Sequence, residues 1–173
     1  FLFNGLNTIY GSIDRDNQEA RNILLQFADL LRYNLYEADV DWVELEKEAA
    51  YLRNYVALQR ARSDSNLRIE LETTIMDVSV KVAPLIFLTF VENAFKFSTR
   101  DDSQSNIIRI HLLQSGNRIE FTCSNSYEEQ EERPGGIGLN NVRRRLELLY
   151  KDSYTLTITR ENAFYTVHLI LQV

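Results

Sequence analysis

Residues 84–97 read Pro-Leu-Ile-Phe-Leu-Thr-Phe-Val-Glu-Asn-Ala-Phe-Lys-Phe, and the reading of this stretch decides the fold. Pro84 suits the first turn of a helix, where its missing N–H would have no partner anyway. The spacing predicts a helix over 84–98 that is apolar almost all round, and such a helix must be sandwiched between other elements. Thr89, Glu92, Asn93 and Lys96 lie three and four positions apart, so they share one stripe. That stripe must face a cleft or a buried partner, because polar groups buried without partners are costly. A carboxylate, an amide oxygen and an ammonium in one line suit a hydrated Mg²⁺ and a polyphosphate, since Mg²⁺ takes few, hard oxygen ligands. The competing reading is an i,i+4 Glu–Lys pair on a solvated edge.

The flanks of this helix read as strands. Leu67, Ile69 and Leu71 alternate with polar residues, as do Val78, Val80 and Val82. Beyond the helix, Ile108, Ile110 and Leu112 alternate, then Ile119, Phe121 and Cys123, with Ser115-Gly116-Asn117 as the turn. An acidic, glycine-containing loop covers 126–138. Leu139, Val142, Leu146 and Leu149 mark another helix, and two strands over 154–160 and 164–172 join near Glu161-Asn162. From residue 64 the order is ββαββαββ. Paired strands with helices between the pairs give a mixed or largely antiparallel sheet with helices on one face. This order argues against a doubly wound nucleotide fold, in which single strands alternate with helices.

Residues 1–63 read as helical. Phe1, Leu2, Phe3, Leu6, Ile9 and Tyr10 open with an apolar face, and Asp14 to Asp16 break it. Asp16 with Glu19 resembles a capping box, and Ala20, Ile23, Leu24, Phe27, Leu31 and Leu35 then follow helical spacing. Asp41 and Glu44 repeat the cap signature ahead of Leu45, Ala49, Leu52 and Val56. The short join at 37–41 makes these two helices an antiparallel hairpin. The polar cluster Ser63-Asp64-Ser65-Asn66 sets the expected boundary: a hairpin over 1–63 and an α/β unit over 64–173. Apolar stripes on both long helices call for a partner, and two hairpins pair into a four-helix bundle, so a homodimer is expected.

Composition narrows the classes. The chain has 173 residues, 45% apolar and 25% charged, so it is not disordered. Its net charge of −6 argues against nucleic acid as a partner. A single cysteine and two histidines leave no disulfide framework and no structural zinc site, and a reducing compartment is the simplest setting. The longest apolar run, 82–91, is about half of the ~20 residues a spanning helix needs, so no membrane contact is expected. The chain opens on Phe1 and reads as a piece of a longer protein.

A second candidate is Pro134-Gly135-Gly136-Ile137-Gly138-Leu139-Asn140-Asn141. Glycines let the backbone approach a ligand, and the helix N-terminus that follows favours an anion. It is not a P-loop, since no Gly-Lys-Ser/Thr follows, and it is a poor dinucleotide fingerprint. The competing reading is a flexible loop. His111, His168 and Cys123 sit in predicted strands and read as structural. Glu128 to Glu132 read as a solvated loop, and Trp42, Tyr51 and Tyr55 as packing residues. Arg143, Arg144 and Arg145 cover three helix faces, so one or two at most can reach a single ligand.

Order and spacing join these signals. Residues 84–97 resemble the N-box of the GHKL ATPase and kinase superfamily, and 135–150 its glycine-rich G2 box. With Phe-Leu-Phe-Asn-Gly-Leu-Asn at 1–7 and Leu-Glu-Lys-Glu-Ala-Ala-Tyr-Leu-Arg-Asn-Tyr-Val-Ala-Leu-Gln-Arg-Ala-Arg at 45–62, the chain is similar to the LytS-type sensor histidine kinases. The resemblance implies an α+β protein, with an N-terminal antiparallel helical hairpin followed by a GHKL (Bergerat-type) α/β sandwich. It implies ATP and Mg²⁺, autophosphorylation on histidine, and transfer to an aspartate of a response regulator. It also implies the cytoplasmic portion of a bacterial inner-membrane protein. Carried over by motif, Asn93 is the Mg²⁺ ligand, Glu92 orients water or assists proton transfer, and Lys96 lies near the phosphates. Gly135, Gly136, Gly138 and Leu139 hold backbone at the phosphates, with 126–137 as the lid.

Three positions depart from the family pattern. The phosphoacceptor histidine of its Pro-His-Phe-Leu-Phe-Asn segment would precede Phe1. Phe97 stands where the family usually has His. Asn125 stands where its Asp-x-Gly-x-Gly aspartate would bind adenine, and an amide can both accept and donate there. The missing glycines motivate a second reading, a degenerate GHKL domain that dimerises and relays signals without phosphoryl transfer. A third, phosphorylation of a partner serine or plain ATP hydrolysis, fits the opening motif less well.

Overall fold

The computed structural model describes residues 2–63, 66–98, 106–127 and 137–173. Their helices are α1 (Leu2–Ser12), α2 (Gln18–Arg32), α3 (Leu45–Arg62), α4 (Leu88–Phe97) and α5 (Ile137–Leu149). A π-turn, Tyr33–Glu37, extends α2. The strands are β1 (Val43–Glu44), β2 (Leu67–Ile75), β3 (Lys81–Val82), β4 (Asn106–Ser115), β5 (Arg118–Ser126), β6 (Tyr154–Glu161) and β7 (Phe164–Gln172).

The main sheet has the order β2-β4-β5-β7-β6. β2 runs parallel to β4, and the other neighbours are antiparallel. The sheet is therefore mixed, as expected. Strand alternation divides its two faces. Ile108, Ile110, Leu112, Ile119, Phe121, Val167, Leu169 and Leu171 are buried beneath the helices, joined there by Phe87, Phe90 and Leu146. Arg109, His111, Thr122 and His168 line the other face, which no helix among the described residues covers. Tight turns close the two hairpins. Gly116 takes φ 58° between β4 and β5, and Asn162 and Ala163 take φ 53° and 62° between β6 and β7.

The first expected strand pair differs. Val78 and Val80 are not in a strand, and β3 is two residues long and pairs with β1. The buried amide of Gln114 causes this: its Oε1 accepts from Met76 N–H and Asp77 N–H, each at 2.8 Å, and turns the chain off the sheet. Asp77 Oδ1 then accepts from Ser79 N–H at 2.8 Å, completing the turn. The Asp41/Glu44 cap is also not formed. Val43 and Glu44 pair with β3, and Leu45 N–H bonds Val80 O at 2.8 Å. At α2 the cap is Asn17, one residue later than Asp16, its Oδ1 accepting from Ala20 N–H at 3.1 Å. The helix carrying the polar stripe starts at Leu88, and 84–87 form a turn. Leu85 sits at φ 57°, which no helix allows.

α1 and α2 lie antiparallel: Phe3 meets Tyr36 with ring centres 6.0 Å apart, while Arg21 stacks 3.9 Å over Tyr10. α2 in turn packs on α3, where the Tyr33 and Tyr51 rings are 4.9 Å apart. α3 is also bonded to the sheet. Arg60 Nη2 donates to Ile69 O at 2.6 Å, and Arg53 Nη1 to Thr73 Oγ1 at 3.0 Å. Leu45, Ala49, Leu52 and Val56 are buried in the same core as the strands, so that core is continuous across residue 63.

Candidate functional site

α4 and the first turn of α5 meet on the covered face of the sheet. A Cβ on Gly138 would stand 3.1 Å from Thr89 Cγ2, so glycine is what lets the two helices approach. The N-box-like stretch and the glycine-rich stretch are thus in contact through Thr89 and Gly138, 49 positions apart in sequence. Gly135 and Gly136 fall outside the described residues, as does the acidic loop Glu128 to Glu132.

Along α4, Thr89 and Asn93 are half-buried, and Glu92 and Lys96 are exposed. The Asn93 side chain makes no hydrogen bond among the described residues, so its amide oxygen is open. Partial burial pushes the Glu92 carboxyl above its ordinary range. Glu92 lies over α3: after burial, its charge is the next cause that raises the Tyr55 phenol to about 12, and it also acts on Tyr51. Lys96 Nζ sits 5.0 Å over the Phe97 ring, and no ion pair joins it to Glu92 among the described residues. The simple surface Glu–Lys pair is therefore not formed.

Asn125, next to last in β5, lies on the helix-covered face, only 2% exposed. Its Nδ2 donates to Ser126 O at 2.8 Å. Leu139 is half-buried against the core, beside Gly138. Among the residues read as structural, His111 Nδ1 lies 3.2 Å from Glu72, and His168 Nε2 lies 2.9 Å from Glu120, both on the open sheet face. Cys123 is buried and its thiol pushed up to about 12 by burial. Tyr51 is packed, and Trp42 stands edge-on to Tyr150 at 5.5 Å.

Sequence reasoning missed Glu48, Arg145 and Tyr150. All three hold the backbone just ahead of α4: Tyr150 Oη on Ala83 N–H at 2.8 Å, Arg145 Nη1 on Pro84 O at 2.6 Å, and Glu48 Oε1 on Leu85 N–H at 2.7 Å. One signal was present for Glu48. It falls three residues after Leu45 and four before Leu52, in the apolar register of α3. A cavity of about 840 Å³ opens elsewhere, between Trp42, Lys81, Gly116, Tyr150 and Val173. It lies by the β4–β5 turn, and neither Asn93 nor Gly138 lines it.

Comparison with known proteins finds related sequences and folds. The histidine kinase family model matches residues 1–67. The sensor histidine kinase YpdA of Escherichia coli is 29% identical over 161 residues, covering 87% of this chain and 28% of YpdA. The sensor protein LytS of Staphylococcus saprophyticus is 29% identical over 172 residues, 91% of this chain and 29% of LytS. The chain thus spans less than a third of the length of these relatives. Among solved structures, the histidine kinase domain of the Erythrobacter litoralis EL346 blue-light activated kinase superposes with a TM-score of 0.60 at 16% identity. It covers 87% of this chain and 73% of that domain. The catalytic domain of the histidine kinase ThkA gives 0.54 at 14% identity, over 76% of this chain and 93% of that domain. At such identities these structures show the fold. Family match, relatives and fold agree, and the resemblance to the LytS-type sensor histidine kinases drawn from the motifs holds for this chain.

Proposed function

We propose that the chain is the kinase core of a two-component sensor histidine kinase, which binds Mg²⁺–ATP between α4 and the start of α5. The observation that carries this reading is the close approach of Gly138 to Thr89, which brings the two motifs side by side. The residues fit the ligand. Asn93 offers an unengaged amide oxygen to a hard cation, Lys96 an ammonium to phosphate, and the amides of Gly138 and Leu139 begin a helix N-terminus suited to an anion. A bound Mg²⁺ would neutralise charge that develops on the phosphates during transfer. Glu92, its carboxyl already raised, is suited to hold a proton or orient a group beside the acceptor. Most of the acceleration in such a reaction comes from positioning and electrostatics, which is what these residues supply.

Neither histidine of the chain serves as acceptor in this reading, because both are paired with glutamates on the open face of the sheet. The acceptor is the histidine that the family motif places ahead of Phe1, and an aspartate of a response regulator is the onward partner. In this reading the catalytic unit takes in residues ahead of 64, because α2, β1, α3 and the sheet share bonds and core. The parent protein is membrane-bound with this part in the cytoplasm; no helix among the described residues is long and apolar enough to cross a membrane.

Asn125 favours a second reading. Its buried amide already donates to Ser126 O, which leaves less of it for adenine, as in a degenerate relay domain without transfer. Labelled ATP separates the two. The parent protein is expected to acquire acid-labile label, lost in Asn93→Ala. Absence of label favours the relay domain, and acid-stable label would contradict a histidine acceptor.

A further inference from the structure

The corner Ala83–Leu85, which feeds α4, is held by side chains from two other elements, as described above. Leu85 is left-handed at φ 57°, a conformation that a branched residue holds only where its surroundings fix it. Glu48 is the deepest of these holds. It has no exposed surface, and its Oε2 has no partner among the described residues. A buried carboxyl is a poor source of stability, and a well-packed apolar residue would serve a core better. Its presence calls for a role in placement.

Glu48 Oε1 accepts a second hydrogen bond, from the hydroxyl of Tyr33. Tyr33 opens the π-turn at the end of α2, and such turns recur at functional positions. The next residue, Asn34, donates from Nδ2 to Tyr51 Oη at 2.7 Å, so the π-turn grips α3 at two consecutive residues. One carboxyl oxygen therefore joins the hairpin helix α2 to the backbone corner ahead of α4.

We propose that Glu48 and Tyr33 are positioning residues for the nucleotide site: Glu48 fixes the Leu85 corner and with it the placement of Asn93, and Tyr33 ties that placement to α2. The proposal rests on the Mg²⁺–nucleotide reading of α4. It also gives the hairpin a physical handle on the cleft, since any shift of α2 must move or break the Tyr33–Glu48 bond.

The test uses the whole chain and two readouts, amide hydrogen exchange and calorimetric titration with Mg²⁺–ADP. Tyr33→Phe removes one hydroxyl and keeps the ring packing. It is expected to fold, with exchange across residues 85–91 about three- to tenfold faster, the factor for losing one buried hydrogen bond. The affinity for Mg²⁺–ADP is expected to fall by a similar factor. Glu48→Gln keeps an acceptor for both donors and is expected to show exchange across 85–91 no faster, and affinity no weaker, than the native chain. Tyr33→Phe with native exchange at 85–91, or with faster exchange but native affinity, overturns the proposal. If the native chain binds no Mg²⁺–ADP while Tyr33→Phe still speeds exchange at 85–91, the nucleotide reading fails and the mechanical link from Tyr33 to Leu85 survives it.

Discussion

Glu48 carries a pH signature at the scale of a single residue. Burial raises its carboxyl above the ordinary value; the hydrogen bonds from Tyr33 and Leu85 N–H, and the charge of Arg145, oppose the rise without cancelling it. A carboxyl raised by folding stabilises the native state fully below its unfolded pKa, and that contribution is lost as pH rises through the folded value. Glu48→Gln mimics the protonated form. Urea melts are expected to show the variant and the native chain equally stable near pH 4, with the variant gaining on the native chain as pH rises toward 7. A gap that widens instead toward low pH would reverse the sign. Gly138 tests the cleft by steric means. Gly138→Val drives a branched carbon against Thr89 Cγ2 and is expected to cost about 1–3 kcal/mol in the same melts. The stripe of Thr89, Asn93 and Lys96 was legible because helical spacing on an otherwise apolar helix leaves polar residues one place to go. Glu48 was not, because its two donors, Tyr33 and Leu85, lie 15 and 37 positions away in the sequence.

At the scale of elements, hairpins β4–β5 and β6–β7 and helix α5 were readable from alternation and spacing. Long-range pairing decided the rest. β1 looked like a helix cap because its partner β3 lies almost 40 residues on. The first turn expected at Pro84 gave way to a corner because side chains from α3 and from the end of α5 bond its backbone. The turn Asn162-Ala163 carries a backbone that suits glycine at its second position, with both residues at positive φ. Ala163→Gly is expected to stabilise the chain by about 0.5–1 kcal/mol, read as a higher urea midpoint at unchanged slope. A lower midpoint would show that the turn is held by more than its dihedral angles.

The whole molecule has one covered and one open sheet face, and its helical end is apolar outside. Leu25 is 48% and Phe27 40% exposed on α2, with Ile9 50% exposed on α1. Such surface is the expected seat of the homodimer, since an isolated helical pair leaves one apolar side uncovered. Sedimentation is expected to show a dimer at high micromolar concentration, weakened in Phe27→Glu. A monomer throughout that range would remove the dimer from the account. The α/β part of this plan was legible from the order of elements, whereas the entry of α3 into its core was not, because an amphipathic helix does not declare which neighbour it packs on.

In the proposed function, Asn93 is the protein ligand of a Mg²⁺ that holds nucleotide between α4 and α5. Calorimetric titration of the chain with ADP, with and without Mg²⁺, tests it most directly. The account predicts saturable binding with Mg²⁺, and in Asn93→Ala an unchanged fold with the Mg²⁺-dependent part of the binding gone. No heat and no saturation at millimolar Mg²⁺–ADP, or binding that Asn93→Ala leaves intact, would contradict it.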